Sequence, residues 1–417
     1  MNIMMISLSF PPEINSASHL IFGLGSEFIR RGHKVTVVTG FPTFNYDPST
    51  LPARYKSGLW LRETYEGLEV VRSRTLQMPR NIPVLRGIDQ ITTSLAFAIA
   101  GTFLPRTRAD VVLVYSPPMF LGLSGWALRM IRGAKVVVNV QDLFPQNAID
   151  LGVLKSKFLI GVFRRIESFL YRNLDAVAVH SEGNRDHVVK CGGDPSRTFV
   201  VLNPVDTKTI VPGSRNSAFK RSQGIGEGQR IVSYAGVLGY AQDLDIVIKA
   251  AGLMKDISDV IFYIVGDGVE KPRLVKQADG MKNVRFLPML PKEQYLELLH
   301  ASDVCLATLR GEMKTPVVPG KIMSIMAAGR PLVSSMPLDG DAPRMIQDAG
   351  CGVNVEPENA EKFAEAIKTI LANPSLAMQY SRSGRAYVEA NCSLEGCAAA
   401  YERIFEKITG RKDGTVS

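Results

Sequence analysis

The sequence predicts an α/β protein with two doubly wound domains, each built on a parallel sheet that is covered by helices on both faces. The chain has 417 residues, which suits two or three domains of about 100–200 residues. Short runs rich in valine and isoleucine alternate with helical patterns, as is typical of βαβ units. This alternation of strand and helix patterns stops near residue 203 and resumes at residue 230. We therefore expect two domains of similar size that face each other across a cleft.

Five strands and one complete βαβ unit are predicted in the first half. A helical pattern over 20–31 ends at Gly32 and leads directly into a valine-rich run. This indicates a helix stop followed by a buried strand. His33, at the start of that run, is expected to be structural. The predicted strands are 2–7, 34–39, 111–115, 135–140 and 176–180.

The second half repeats the pattern after a polar segment at 213–229 that contains glycine and serine. Such a composition is typical of a connection between domains. The strands predicted beyond it are 230–234, 260–266, 284–287, 304–308, 331–334 and 352–355.

Hydrophobic residues at 46% and charged residues at 21% exclude a disordered, collagenous or coiled-coil chain. The net charge is +9, and residues 1–206 hold 23 basic and 16 acidic residues, a net +7. A basic excess suits nucleic acid, an anionic membrane or a phosphorylated ligand, and the total does not choose among them. We expect most of these cations, a set that includes Arg72, to lie on solvated surfaces.

The five cysteines are odd in number and none has CxxC spacing. This argues against a disulfide framework and a structural zinc site, and favours a reducing, cytoplasmic compartment. The first residues have no basic segment, and their apolar run ends at Pro11, so a buried first strand is predicted rather than a signal peptide. The apolar stretch at 95–104 is shorter than the roughly 18–20 residues that span a bilayer. No transmembrane segment is expected.

Candidate ligand-binding residues of the first domain follow its strands, because ligands of open α/β sheets bind at the carboxyl ends of the strands. Asp142 comes directly after a buried strand, so it presents an acid at a strand tip; an Asx turn or helix N-cap is the alternative. For His180 the alternative is a structural role, with Ser181 as an N-cap. The candidates in this domain are Glu13, Asn15, Ser16, His19, Gln141, Asp142 and His180.

Three turns of the second domain suit an anion. Glycines follow two of its strands, where backbone N–H groups and the start of a helix attract negative charge. A third turn, Pro319-Gly320-Lys321, begins a predicted helix that stops at Gly329. A cation in the first turn opposes the helix dipole, so stability alone explains Lys321 poorly. A bound nucleotide diphosphate would resolve this conflict, although such glycines also serve helix–strand packing.

Several segments in a fixed order resemble a family of sugar-transferring enzymes. They are SFPPE at 9–13, RGHKVTVVTGFP at 31–42, YSPP at 115–118, QDLFP at 141–145, LGVL at 151–154, NPVD at 203–206, YAG at 234–236, AQ at 241–242, and PGK to GRP from 319 to 331. Together they resemble the retaining GT-B glycosyltransferases of family four and, within it, the fucosamine-type transferases of bacterial O-antigen and capsule assembly.

The resemblance implies a GT-B fold with an acceptor-binding domain at 1–205, a nucleotide-sugar domain at 206–391, and final helices at about 392–417 that cross back onto the first domain. It implies that the diphosphate leaving group accepts the acceptor proton, and that neither metal nor cofactor is needed. Asp142 and Lys321 would be catalytic. The first-domain residues Glu13, Asn15, Ser16, His19, Gln141 and His180 would face the acceptor. The donor would contact Gly236, Gly239, Tyr240, Gln242, Gly266, Gly268, Leu290, Pro319, Gly320, Lys321 and Ser324.

The sequence also departs from the family pattern. The two glutamates spaced E-x7-E fall at Pro316 and Ser324, and the Arg…Lys pair that binds the diphosphate falls at Val237 and Gln242. Lys321 then becomes the main candidate cation, helped by backbone N–H groups at Gly239, Tyr240 and Gly320. The catalytic histidine of several members falls at Gln141, and the glycine pair of the first loop reads Asn15-Ser16.

The predicted function is transfer of an N-acetylated or deoxy hexose from a UDP-sugar to a lipid-diphosphate-linked or other saccharide acceptor. Two alternatives remain: a GT-B nucleotide-sugar epimerase, and a non-catalytic nucleotide-sugar-binding partner subunit. No nucleic acid partner is expected. A basic, aromatic segment could rest on an anionic membrane surface or pack as an ordinary amphipathic helix; its residues are Lys155, Lys157, Phe158, Leu159, Phe163, Arg164, Arg165 and Phe169.

Overall fold

The computed structural model describes residues 1–13, 15–43, 51–78, 83–226, 228–313 and 316–411. The chain forms two compact units. Unit 1 contains Met1–Pro204 and the C-terminal segment that begins at Leu394, and unit 2 contains Val205–Ser393. The boundary between Pro204 and Val205 lies one residue before the boundary expected from the sequence, which was between residues 205 and 206.

Unit 1 is built on an eight-stranded sheet with the order β3-β4-β2-β1-β5-β6-β7-β8. The strands are β1 (Asn2–Ile6), β2 (Lys34–Gly40), β3 (Trp60–Tyr65), β4 (Leu68–Ser73), β5 (Val111–Ser116), β6 (Lys135–Val140), β7 (Ala176–Val179) and β8 (Thr198–Val200). All neighbours are parallel except β3 and β4. The helices of its main segment are α1 (Ser16–Arg30), α2 (Pro83–Phe103), α3 (Leu121–Arg132), α4 (Gln146–Asp150), α5 (Lys157–Asn173) and α6 (Glu182–Lys190).

Unit 2 is built on a six-stranded parallel sheet with the order β11-β10-β9-β12-β13-β14. Its strands are β9 (Arg230–Ala235), β10 (Val260–Val265), β11 (Val284–Leu287), β12 (Val304–Thr308), β13 (Leu332–Ser335) and β14 (Gly352–Val355). Its helices are α7 (Ala218–Ser222), α8 (Asp245–Leu253), α9 (Lys271–Gln277), α10 (Lys292–Ala301), α11 (Lys321–Ala327), α12 (Asp341–Ala349), α13 (Ala360–Ala372) and α14 (Pro374–Asn391). The doubly wound α/β class predicted from the sequence is confirmed. Where both identify a strand, the predicted bounds agree to within one residue at each end.

The last helix, α15 (Leu394–Thr409), packs on unit 1. Its Phe405 lies 5.7 Å from Phe28 of α1, measured between ring centroids. Glu402 accepts hydrogen bonds from Arg31 Nε at 2.7 Å and contacts His33 Nε2 at 2.8 Å. His33 is therefore a buried structural residue, as the sequence indicated.

The start and the end of unit 2 lie side by side. Val205 forms an isolated parallel bridge with Ser393, and its N–H donates to the carbonyl of Cys392 at 2.8 Å. Unit 2 is therefore one continuous segment, from Val205 to Ser393, and its first and last residues are neighbours.

Sequence analysis missed the hairpin of β3 and β4 and the short strand β8. In β3 the residues alternate between exposed and half-buried positions, so this antiparallel edge strand lacks the apolar run typical of a buried parallel strand. A two-residue turn joins the strands, with φ of 44° at Glu66 and 87° at Gly67. Positive φ at both positions is typical of a type I′ hairpin turn.

Arg72 is fully buried and is thus an exception to the expectation that most of the first-half cations lie on solvated surfaces. Its Nε donates to Glu63 Oε1 at 2.6 Å, and Nη2 donates to the carbonyl of Pro11 at 2.6 Å. The guanidinium also lies 4.9 Å from the Tyr55 ring centroid. A buried guanidinium with a carboxylate partner and carbonyl acceptors satisfies its donors, and it holds the loop after β1 against the sheet.

No helix in the described part of the chain is long and apolar enough to cross a membrane. The apolar stretch at 95–104 lies mostly within α2.

Candidate functional site

Two glycine-containing loops meet after β9 and β10 of unit 2. The N–H of Leu238 donates to the carbonyl of Asp267 at 2.8 Å, and the N–H of Glu270 donates to the carbonyl of Leu238 at 3.0 Å. Gly266 has φ of 145°, and a Cβ there would lie 1.8 Å from the carbonyl oxygen of Gly236. Only glycine permits this approach. Close packing of the two loops therefore requires glycine at Gly266, whether or not the loops also bind a ligand.

A short 3₁₀ turn, Tyr240–Gln242, follows Gly239. Its first N–H groups have no acceptor within the turn, as at any helix start. Arg310 fixes this turn, because its Nε donates to the Tyr240 carbonyl at 2.7 Å and its guanidinium stacks 3.9 Å from the Tyr240 ring centroid. The Tyr240 side chain remains exposed. Gln242 lies close to Gly239, since a Cβ on Gly239 would lie 2.9 Å from Gln242 Oε1.

Lys321 is the first residue of α11, and its ammonium group is buried without a hydrogen-bond partner among the described residues. Nζ lies 3.4 Å from the ring centroid of Tyr234, and a Cβ on Gly236 would lie 2.8 Å from it. Burial lowers the pKa of Lys321 to about 7, because desolvation penalises the charged form. The cation–π contact is its one favourable partner here. The side chain therefore has unused capacity to bind an anion beside the Gly236 turn.

The remaining donor candidates surround α11 or lie after β11. Gly320 is its N-cap, has helical φ of −57°, and faces open space, since no heavy atom would lie within 4 Å of an added Cβ. The Ser324 hydroxyl interacts with the phenol of Tyr295. Pro319 and Leu290 are partly buried, and Leu290 packs against the apolar cluster that contains Phe219 and Tyr263.

Asp243 is a residue of this region that sequence analysis missed. It has φ of 43°, is buried, and leaves its Oδ2 without a hydrogen-bond partner in the described structure. Burial raises the pKa of its carboxyl group, partly offset by the nearby Arg310. In the sequence, Asp243 is only an aspartate just before a helical pattern. Aspartate is common in ordinary turns at such positions, so it did not indicate a site.

In unit 1, a polar network follows β6 and β7. Gln141 and Asn203 exchange two side-chain hydrogen bonds, Nε2 to Oδ1 at 2.8 Å and Nδ2 to Oε1 at 2.7 Å. Gln141 Nε2 also donates to Asn139 Oδ1 at 2.8 Å. His180 Nε2 lies 2.9 Å from the Gln141 carbonyl oxygen and 3.0 Å from the Asn184 side-chain amide. Asn203 was part of the recognised NPVD segment but was not selected as a site residue.

Asp142 is an exposed residue at the end of this network. Neither predicted alternative is present: α4 begins after Pro145 without a side-chain cap, and the described hydrogen bond of Asp142 is made by its carbonyl, which accepts from the Phe144 N–H. Its surroundings still desolvate the carboxyl group and raise its pKa, while His180 acts in the opposite direction. At His180, the predicted N-cap is confirmed, because Ser181 Oγ accepts from the Asn184 N–H at 3.2 Å.

The candidates after β1 have structural partners. Glu13 is buried and accepts from the Thr43 N–H at 2.7 Å. Asn15 is the N-cap of α1 and accepts from the Ser18 N–H at 2.9 Å. Ser16 and His19, in the first turns of α1, are exposed. A capping asparagine explains why the first loop reads Asn15-Ser16, and Ser16 and His19 remain accessible for an acceptor.

The predicted basic, aromatic segment forms the start of α5 and the loop before it. We call Val153, Lys155, Lys157, Phe158, Leu159, Arg164 and Arg165 the α5 surface, because all seven are exposed. Phe163 does not belong to it: its ring packs 5.0 Å from that of Phe144 and 6.0 Å from that of Phe120. One side of the helix therefore packs in the core, as an ordinary amphipathic helix does, and the other side is exposed.

Two Rossmann-like units with parallel sheets, each with polar turns at the carboxyl ends of its strands, define a GT-B fold, which the chain shares with solved glycosyltransferase structures. One solved structure with this fold is HepE of Anabaena in complex with UDP. It superimposes with a TM-score of 0.71 at 16% sequence identity, over 98% of this chain and 100% of that chain.

Residues 21–204 match the family described as "Glycosyl transferase 4-like domain", and residues 229–373 match "Glycosyl transferases group 1". Two successive segments of the chain are therefore similar to glycosyltransferase domains, a 4-like domain first and a group 1 domain after it. It is 29% identical to the probable glycosyltransferase WbjE of Pseudomonas aeruginosa, over 70% of this chain and 73% of that protein. It is 24% identical to the putative colanic acid biosynthesis glycosyl transferase WcaI of Escherichia coli K12, over 95% and 97%.

Proposed function

We propose that this protein is a retaining hexosyltransferase of surface-polysaccharide assembly. It transfers an N-acetylated or deoxy hexose from a UDP-sugar to a lipid-diphosphate-linked saccharide. The two glycosyltransferase domains and the relative named for colanic acid biosynthesis support this class of reaction.

The unpartnered ammonium group of Lys321 carries the proposal. A buried cation without an acceptor is unfavourable unless a ligand completes its hydrogen bonds. The diphosphate of the donor supplies acceptor oxygens, and the first N–H groups of the Tyr240 turn add further donors. We therefore assign the diphosphate to the space between Lys321, Gly236 and Gly320, with Tyr240 beside it.

During transfer, the bond between the anomeric carbon and the diphosphate oxygen breaks, and the acceptor oxygen forms a new bond to that carbon on the same face. The acceptor proton passes to the leaving diphosphate. Negative charge grows on the diphosphate, so donors that are already in position lower the barrier. In the proposed reaction Lys321 and backbone N–H groups supply this positive charge, and no metal ion is needed there.

A thermal-shift panel of UDP-, GDP-, ADP- and dTDP-sugars tests the donor class. We expect UDP-sugars to raise Tm and the other three to have little effect, since a ligand at about 100 times its Kd stabilises the folded state by about 2.7 kcal/mol. The Lys321→Met variant is the control, and its shift should be much smaller. The absence of a shift with every sugar would refute the proposed donor site.

Asp142→Asn should lower kcat by about 10²-fold, because a carboxylate that orients the acceptor hydroxyl contributes about that factor. Affinity for UDP should stay within twofold of wild type, since Asp142 belongs to unit 1. The matched control is Asp186→Asn, an exposed aspartate of α6. Wild-type turnover by Asp142→Asn would exclude this role. If native protein binds UDP but releases none from any donor and acceptor pair, the non-catalytic alternative is correct.

We propose that the α5 surface rests on anionic lipid. Its cations attract the headgroups, and Phe158, which is 76% exposed, inserts into the interface. Wild-type protein should sediment with vesicles of phosphatidylcholine and phosphatidylglycerol at low salt, and less at high salt. Phe158→Ser should weaken this binding, whereas Val269→Ser, a similarly exposed position in unit 2, should not. No sedimentation at either salt concentration would exclude the membrane proposal.

A further inference from the structure

Three different metal-ligating side chains converge in unit 1, apart from the candidate residues discussed above. They are Glu167 of α5, His187 of α6 and Cys191, the C-cap of α6. One ligand atom from each lies within 4.8 Å of the others, and the described residues contain no second such group. His187 Nε2 lies 3.2 Å from Glu167 Oε1 and 3.4 Å from Cys191 Sγ.

The local fold fixes this arrangement. His187 and Cys191 are four residues apart on α6, so they share one face of the helix. Glu167 is buried on the neighbouring helix and accepts a hydrogen bond from the Tyr171 hydroxyl at 3.2 Å. Gly192 brings the end of α6 against α5: its φ is 100°, and a Cβ there would lie 2.6 Å from Arg172 Nε. The three ligands are therefore preorganised by two packed helices.

Both contacts of the imidazole fall on the same ring nitrogen. A proton relay from a thiol through histidine to a carboxylate uses the two ring nitrogens separately, so this geometry does not fit a nucleophilic triad. Nε2 has one hydrogen or one lone pair, and it cannot point at Glu167 and Cys191 simultaneously. A cation bound by all three atoms would remove this conflict, since each atom would then donate a lone pair to the same ion.

The two short distances suit zinc. With Zn–N and Zn–O of about 2.0–2.1 Å and Zn–S of about 2.3 Å, a tetrahedron has N···O edges of about 3.3 Å and N···S edges of about 3.6 Å. The observed distances are 3.2 and 3.4 Å. The imidazole is 18% exposed and Cys191 is partly exposed, which leaves solvent access for a water as the fourth ligand.

We propose that Glu167, His187 and Cys191 bind a divalent cation of the zinc type and thereby fasten α6 to α5. Binding requires a thiolate and a neutral imidazole, so the thiol proton is released to solvent. The two ligand charges then balance the charge of the cation. The absence of CxxC spacing made a structural zinc site unexpected. CxxC spacing detects only ligands that are close in sequence, whereas these three ligands come from two helices.

The test uses full-length protein stripped with a chelator and titrated with Zn²⁺ and with Co²⁺. One equivalent should bind, and the cobalt form should show a thiolate-to-metal charge-transfer band. Affinity should fall at least 100-fold in Cys191→Ser and His187→Gln, and stay unchanged in Glu182→Gln, an exposed carboxylate of the same helix. Equal affinity in wild type and the two ligand variants would overturn the proposal.

Thiol labelling of the wild-type protein gives a second readout that does not depend on variants folding. Cys191 is partly exposed, whereas the other four cysteines are buried. The metal-free protein should therefore label first at Cys191, and Zn²⁺ should slow that labelling at least tenfold. An unchanged labelling rate at saturating Zn²⁺ would show that the thiolate is not a ligand.

Discussion

Lys321→Met is expected to lower kcat/KM for sugar transfer by about 10²–10³-fold, the usual effect of removing one preorganised donor from a developing negative charge. Methionine keeps the stem against the ring of Tyr234, where a thioether packs well, so the fold should be retained. Lys276→Met, an exposed lysine of α9, is the control for the loss of one positive charge. Wild-type activity in Lys321→Met would remove this residue from the proposed mechanism.

The pH dependence of donor binding provides a more specific signature of Lys321. In the free protein its pKa is about 7, and a bound diphosphate favours the ammonium form, so binding takes up a proton above pH 7. Affinity for a UDP-sugar should therefore be flat below about pH 7 and fall by up to tenfold per unit above it. Isothermal titration at several pH values measures this slope, and Lys321→Met should show none. A flat profile in wild type would contradict the buried-lysine model.

The second large effect concerns folding. Gly266→Ala is expected to destabilise unit 2 by more than about 3 kcal/mol, since backbone strain and overpacking each cost about 1–3 kcal/mol. The new Cβ would meet the Gly236 carbonyl, and backbone cannot move aside as a flexible side chain does. Hydrogen exchange of β9 and β10 amides reports this loss locally. Native-like protection of both strands in the variant would contradict the prediction.

Gly320→Ala is the matched variant, because Gly320 has ordinary helical dihedrals and open space in front of it. The variant should fold normally because alanine readily adopts these dihedrals, yet its methyl group would enter the space assigned to the diphosphate. We expect affinity for UDP-sugars to fall about tenfold without a change in hydrogen exchange. Wild-type affinity would mean that the diphosphate does not approach Gly320.

The fold was predictable where apolar runs mark buried strands. The valine-rich runs of β2 and β6 were located from the sequence because both faces of a parallel sheet are covered. The edge strand β3 was missed, since its half-polar pattern resembles a loop. The burial of Arg72 was not predictable for a related reason: a local pattern of charges does not reveal that Glu63, nine residues away, supplies a buried partner.

The candidate site was predictable only in its local parts. Turn glycines and a lysine at a helix start are visible in the sequence, and Lys321 is indeed buried beside the Gly236 turn. The pairing of Gln141 with Asn203 joins residues 62 positions apart, and the pairing depends on how β6 and the end of the sheet are aligned. Asp243 gave no signal because its unusual backbone conformation and burial arise only from tertiary packing.

Because Val205 and Ser393 are neighbours, unit 2 can be deleted from the chain or exchanged as one segment. A segment whose two ends meet can be removed or replaced without stretching the remainder. Unit 2 is thus an insertion between β8 and α15 of unit 1, and a short linker should close the gap that its removal leaves. Exchanging this insertion between relatives would transfer unit 2 as one module while leaving unit 1, including its C-terminal helix, intact.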